Sequence, residues 1–227
     1  MDPPRSSVAL FGGTYDPFHN GHLRMAVEVK EALGISRLTL FPALHPPHKP
    51  KRPVTEARHR LAMVAAGAAG LPGIDVSDIE IRREGPSYSL LTVLDFRREL
   101  PDARILFVMG ADSFADVSSW HRYGELLLSC DFILLPRSGV DPEPAPPKGV
   151  HIEKEEPHCY SWMGKSYRLP GGRRLFCPSL PALDISSSAI REKVRKGKCI
   201  RGLVPPEVER YISDHGLYLD RAEEQRP

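Results

Sequence analysis

The sequence predicts an α/β fold built on a parallel sheet. Three observations carry this reading. The first forty residues run strand, glycine turn, amphipathic helix, strand, which is one βαβ unit. Two later runs, residues 105–109 (ILFVM) and 132–135 (FILL), are continuously apolar, as a strand covered on both faces must be. Helical patterns separate the strands along most of the chain.

Val8-Ala9-Leu10-Phe11 forms the first strand, and Gly12-Gly13 ends it. A helix is expected over residues 21–33, because Met25, Val29, Ala32 and Leu33 fall at i, i+4, i+7 and i+8 and share one face. Gly34 is its stop signal. The next strand is 38–41, closed by Pro42, and a helix follows over 55–69 with Glu56 near its positive end. Residues 74–76 and 79–81 alternate apolar and acidic, which reads as edge strand for both. Residues 90–100 read as helix. Residues 174–177 read as a last short strand, with helices at 187–196 and 206–214 behind it. Between 138 and 172 the composition turns rich in proline and mixed charge, so this stretch reads as an insertion or lid-like excursion within a single domain spanning 1–219. The tail 220–227 is expected to be disordered.

Composition narrows the function classes. Thirty-one basic and 29 acidic residues leave a net charge of +2, and no aromatic–basic stripe accompanies it, which argues against a nucleic-acid partner. No stretch approaches the roughly 20 apolar residues of a membrane span, and the N-terminal Met-Asp-Pro-Pro-Arg has no signal-like apolar region. The expectation is a soluble cytoplasmic protein. The four cysteines, Cys130, Cys159, Cys177 and Cys199, form no C-x-x-C pair and read as reduced structural thiols.

Gly12-Gly13-Thr14-Tyr15-Asp16-Pro17-Phe18-His19-Asn20-Gly21-His22 carries the first functional signal. A strand that ends in glycines and opens into a helix is a general anion site, since bare backbone N–H groups and the helix N-terminus meet there. His19 and His22 lie three apart at the helix start and can aim N–H donors at one phosphoryl group. A helix-capping histidine beside a solvated one is the plain alternative. A metal pair lacks a third His or Cys nearby in sequence. The second signal is Ile185-Ser186-Ser187-Ser188-Ala189-Ile190-Arg191, where hydroxyls open a helix and a guanidinium follows one turn later. Ser186 and Ser188 can cap the helix or hold phosphate, and Arg191 adds a charged fork. Gly164-Lys165-Ser166 is no P-loop, because Cys159 stands where the motif needs glycine.

Together these stretches resemble the bacterial nicotinate-nucleotide adenylyltransferases, in the nucleotidyltransferase superfamily with an H-x-G-H element. The family pattern GGTFDP-x-H-x-GH matches residues 12–22 with Tyr15 for the usual Phe, and IS-x-[ST]-x-IR matches 185–191. The resemblance implies a Rossmann-like doubly wound parallel sheet with C-terminal helices. It implies that ATP, brought with Mg²⁺, is held by Gly12, Gly13, Thr14, His19, His22, Gly110, Asp112, Ile185, Ser186, Ser188 and Arg191. His19, His22 and Arg191 would stabilise the transferring phosphates, with no protein-bound metal site of their own.

Nicotinate mononucleotide is the implied acceptor. Pro46-Pro47-His48-Lys49 resembles the family's PPHK element beside the mononucleotide phosphate, which makes His48 and Lys49 candidates for that contact. Pro86-Ser87-Tyr88-Ser89 and Ser119-Trp120-His121 resemble its P-S-Y-T and S-W elements, placing Ser89, Trp120 and His121 around the pyridine ring. Gly110 and Asp112 follow the buried strand 105–109, at the strand end where α/β sheets bind ligands. Asp112 there suits a ribose hydroxyl or another nucleotide contact. The implied reaction transfers the adenylyl group of ATP to the mononucleotide and releases pyrophosphate. A homodimer is left open as the assembly.

Overall fold

The computed structural model describes residues 6–45, 54–83, 85–136, 144–155 and 164–219. Its centre is a sheet of eight strands in the order β3-β2-β1-β4-β5-β8-β7-β6. The strands are β1 (Ser7–Gly13), β2 (Arg37–Pro42), β3 (Ile74–Val76), β4 (Arg104–Gly110), β5 (Asp131–Leu135), β6 (Glu153–Lys154), β7 (Lys165–Arg168) and β8 (Arg174–Cys177). All pairings from β3 across to β8 are parallel. β7 runs antiparallel to both β8 and β6.

Strand alternation assigns the two faces. Ala9 and Phe11 of β1 and Leu106 and Val108 of β4 point into one core layer. Val8, Leu10, Ile105, Phe107 and Met109 point into the other. The first layer is covered by α1 (Asn20–Ala32), α2 (Ala57–Ala68), α7 (Ser187–Arg195) and α8 (Pro206–Asp214). The second is covered by α3 (Ile79–Arg82), α4 (Ser89–Glu99), α5 (Ala111–Ala115) and α6 (Tyr123–Ser129). Helices on both faces of a mostly parallel sheet make the expected Rossmann-like, doubly wound arrangement. Each fully buried Leu, Val or Phe, such as Leu90, Val93 and Phe96 of α4, contributes about 1.5–3 kcal/mol.

Five elements depart from the sequence reading. Residues 79–81 are not edge strand but the start of α3. The Ile79 N–H donates to Ser77 Oγ, and the Ile81 and Arg82 N–H groups donate to the Asp78 carbonyl. Alternation misleads here because Glu80 is buried beside Ile79, not exposed between two apolar neighbours. The sequence pattern also does not mark α5 and α6, which are five and seven residues long and too short to show a periodicity. The excursion from 138 to 172 contributes β6 and β7, which extend the sheet beyond β8.

His48 and Lys49, the tail 220–227 and Cys159 lie outside the described residues. Cys130 and Cys199 are free thiols. Among the described residues no helix is long and apolar enough to cross a membrane.

Candidate active site

The strand order reverses between β1 and β4, so the loops leaving their carboxyl ends diverge to opposite faces and open a crevice. A cavity of about 320 Å³ lies there. Gly12, Gly13 and Thr14 from the end of β1 and Gly110 from the end of β4 form its floor, with Ser87, Tyr88, Ser89, Trp120 and His121 around it. Gly12 is required at this point, since a Cβ would lie 2.5 Å from the Phe41 ring.

The aromatic groups are ordered by packing. Trp120 meets Phe107 edge-on, with centroids 6.4 Å apart. His121 stacks on Tyr88 at 4.2 Å. Ser87 is buried, and its Oγ accepts from the His45 N–H at 3.1 Å. α4 starts at Ser89 without a side-chain cap from its N-cap residue Tyr88, and Ser89 and Leu90 at this start lie in the cavity wall, which gives the wall the chemistry of a helix N-terminus.

A second cluster forms where α1 and α7 begin. His19 is the N-cap of α1, and its Nδ1 accepts from the His22 N–H at 3.3 Å. His22 Nδ1 accepts from the His19 N–H at the same distance. The two rings stack with centroids 3.6 Å apart. Because each Nδ1 accepts, each neutral ring carries its proton on Nε2, as a donor. Gly21 permits this pairing, since a Cβ would stand 3.0 Å from His19 Nδ1 and 3.6 Å from Ile185 Cβ. The same contact places the start of α7 against the start of α1.

Further bonds lock α7 to that turn. Ser187 Oγ donates to the Pro17 carbonyl at 3.0 Å, and Arg191 donates to the Asp16 carbonyl at 2.5 Å and to Ser188 Oγ at 3.3 Å. Ser186 Oγ caps α7 by accepting from the Ala189 N–H at 3.2 Å. The buried Asp16 carboxylate also accepts from Tyr218 Oη at 2.8 Å and from the Thr55 N–H at 3.4 Å. One turn is thus tied to three distant segments of the chain.

The predicted residues therefore fall into two groups. Gly12, Gly13, Thr14, Gly110, Ser89, Trp120 and His121 share the cavity wall. His19, His22, Ile185, Ser186, Ser188 and Arg191 gather at the starts of α1 and α7, outside that wall. Asp112 lies exposed in the first turn of α5.

Sequence reasoning assigned no role to Asp16, Arg60, Glu80, Ser187 or Tyr218. Arg60 had a readable signal. It sits at i, i+3, i+4 and i+7 with Met63, Val64 and Gly67, an arginine within the buried stripe of α2.

Burial pushes the His19 imidazole down to about 4 from its ordinary 6.5. Its folded form therefore resists protonation while the unfolded chain accepts a proton. The stabilising difference is complete above pH 6.5 and disappears as pH falls towards 4. We expect urea unfolding to show up to roughly 3 kcal/mol of stability lost from this source across that window. His19→Gln should flatten the profile there, and an unchanged slope would remove His19 as its origin.

The comparisons agree with this geometry. The model of the cytidylyltransferase-like family matches residues 10–193. A Pelobacter propionicus protein named a probable nicotinate-nucleotide adenylyltransferase is 38% identical over 216 residues, covering 94% of this chain and 98% of its own. A protein of the same name from Pseudomonas syringae pv. tomato is 39% identical, covering 93% of each. The solved Plasmodium falciparum nicotinic acid mononucleotide adenylyltransferase complexed with NaAD shares the fold, with TM-score 0.66 at 19% identity over 94% of this chain and 97% of that one. With the sheet, the crevice and these matches in agreement, the chain belongs to the nicotinate-nucleotide adenylyltransferases, within the cytidylyltransferase-like family of nucleotidyltransferases.

Proposed function

We propose that this chain transfers the adenylyl group of ATP to nicotinate mononucleotide, forming nicotinate adenine dinucleotide and releasing pyrophosphate. The observation that carries the choice of acceptor is the uncapped start of α4 in the wall of an aromatic-lined cavity. A helix N-terminus carries about half a positive charge and offers bare N–H donors. A pyridine carboxylate uses both, whereas a neutral carboxamide gains much less. Ser89 and Trp120 would receive the ring and its carboxylate. His121 and Asp112 border the same acceptor, and His48 with Lys49 would hold its phosphate.

ATP would lie along the second cluster. From there it would reach Gly12, Gly13, Thr14 and Gly110 in the cavity wall, where the protein backbone can approach it closely. Ile185, Ser186 and Ser188 at the start of α7, with Arg191, would hold the phosphates that leave. The mononucleotide phosphate is already an anion near neutral pH, so no strong base is needed. Catalysis is then alignment in line with the α-phosphorus plus stabilisation of spreading charge by the Nε2–H donors of His19 and His22. His19 suits this role because it stays neutral, and so keeps one proton to donate, well below pH 7.

Among the described residues no group of three or more His, Cys, Asp or Glu is placed to hold a metal ion. The hydroxyls of Ser186 and Ser188 and the Arg191 guanidinium suit the phosphates of ATP, with which Mg²⁺ would arrive. Bound there, it would neutralise charge on the phosphate oxygens. The groups that hold the phosphates, chiefly Ser186, Ser188 and Arg191, would fix its position. We further assign the protein to the cytoplasm, with small molecules and no nucleic acid as its partners.

The test is competition kinetics, reading pyrophosphate release from ATP with nicotinate or nicotinamide mononucleotide. We expect a higher kcat/KM for nicotinate. Equal or better use of the amide would overturn the choice of acceptor. No release with either would overturn the reaction.

A further inference from the structure

One carboxylate lies in the wall of the acceptor cavity, and the mechanism above leaves it unused. Glu80 is 3% exposed at its side chain. Its Oε1 accepts from Thr92 Oγ1 at 2.5 Å. Its Oε2 is buried and has no hydrogen-bond partner among the described residues. Arg83 stands 3.9 Å from Oε1, donates to Thr92 Oγ1 at 3.1 Å and keeps its closer ion pair, at 2.9 Å, with Asp95, while the buried Arg60 guanidinium also acts on Glu80 at longer range; none of these groups hydrogen-bonds Oε2. A buried carboxylate oxygen left without a partner is costly, so its retention requires an explanation. A neutral glutamine would satisfy Thr92 equally well.

The ligand brings a positive charge of its own to the cavity side of Glu80. The ring nitrogen of a pyridine mononucleotide is bonded to ribose, so it is quaternary and positive. It has no N–H and cannot be matched by a hydrogen-bond acceptor in the ordinary way. Only negative charge or an aromatic face can match it. The cavity offers both, with Trp120, Tyr88 and His121 as rings and Glu80 as the one carboxylate among the described residues lining it.

We infer that Glu80 is the electrostatic partner of the acceptor's pyridinium charge, and so a specificity residue for oxidised pyridine nucleotides. The inference rests on the pyridine acceptor of the preceding section. It adds a second recognition element, opposite in sign to the start of α4. The helix N-terminus reads the ring's carboxylate, and Glu80 reads the ring's cation.

The test compares Glu80→Gln with the wild type, using ligands that differ in ring charge; the loss of aromaticity on reduction is common to both proteins and cancels in the comparison. Nicotinamide mononucleotide carries the pyridinium, whereas its 1,4-dihydro form has a neutral ring. We expect Glu80→Gln to weaken binding of the oxidised form about tenfold. Binding of the dihydro form should change less than twofold. KM for nicotinate mononucleotide should rise by a similar factor with kcat nearly kept.

Thr92→Val removes the hydroxyl that holds Glu80 but keeps the charge. It should retain the preference for the oxidised ring. Equal losses for both ring forms in Glu80→Gln would mean that Glu80 only braces α4, and would overturn the inference. So would no loss for either form, or a Thr92→Val variant that loses the preference as fully. Failure of the acceptor assignment would appear separately, as a wild type that does not turn over pyridine mononucleotides at all.

Discussion

Replacing His22 with alanine should lower turnover by about 10²–10³-fold while circular dichroism stays that of the folded protein. His22 is only partly buried, so its loss should leave the core intact. What disappears is an oriented donor. Its Nδ1 is committed to the His19 N–H, which fixes the proton on Nε2, and its ring is held between Phe18 and His19 by stacking. A donor fixed before the reaction needs no reorganisation as charge develops, and so a single group can account for several kcal/mol of barrier. The loss should appear in kcat, with KM for ATP changed less, because the strongest interaction arises as the phosphorus is attacked. A fall of less than tenfold would show that His22 serves only as half of the reciprocal cap.

Replacing Arg60 with methionine should destabilise the protein by about 3–5 kcal/mol. Arg60 is almost fully buried and donates to four carbonyls, those of Thr14, Ala43, Leu44 and Thr55. Burial lowers the pKa of its guanidinium, and the nearby Asp16 charge works against that shift. Methionine fills a similar volume but strands the carbonyls. Lysine should not rescue more than part of the loss, because one point charge cannot reach the carbonyls that a planar fork bridges. Urea unfolding at pH 7 measures the effect, and a loss below 1 kcal/mol would refute it. The change should also impair activity, since Arg60 joins the Thr14 turn to the loop that follows β2.

Much of this molecule was legible before any coordinates. The strands around Leu10, Leu40, Phe107 and Ile133 were plain because a parallel strand covered on both faces is apolar at nearly every position. The helices α1 and α4 were plain because one face must be apolar at a period near 3.6. The glycine–histidine turn and the serine–arginine element could be read because both lie within one short stretch of chain, where spacing alone brings the groups together. Residues 79–81 misled because a three-residue alternation cannot distinguish an edge strand from a buried helical turn whose acid has found a partner.

The sequence by itself therefore determined the order of the main elements and singled out both candidate phosphate-binding stretches. The tertiary structure decided which of these stretches meet. It set Ile185 against Gly21, tied Arg191 and Ser187 to the Asp16–Pro17 backbone, and brought Tyr218 back to Asp16. It also placed Glu80 beside Thr92 in the cavity wall and buried Arg60 among four carbonyls. The physical reason is the range of the interactions. Periodicity and turn chemistry act over a few residues and leave a mark in the sequence. A buried charge is stabilised by partners far along the chain, and nothing in its own neighbourhood names them.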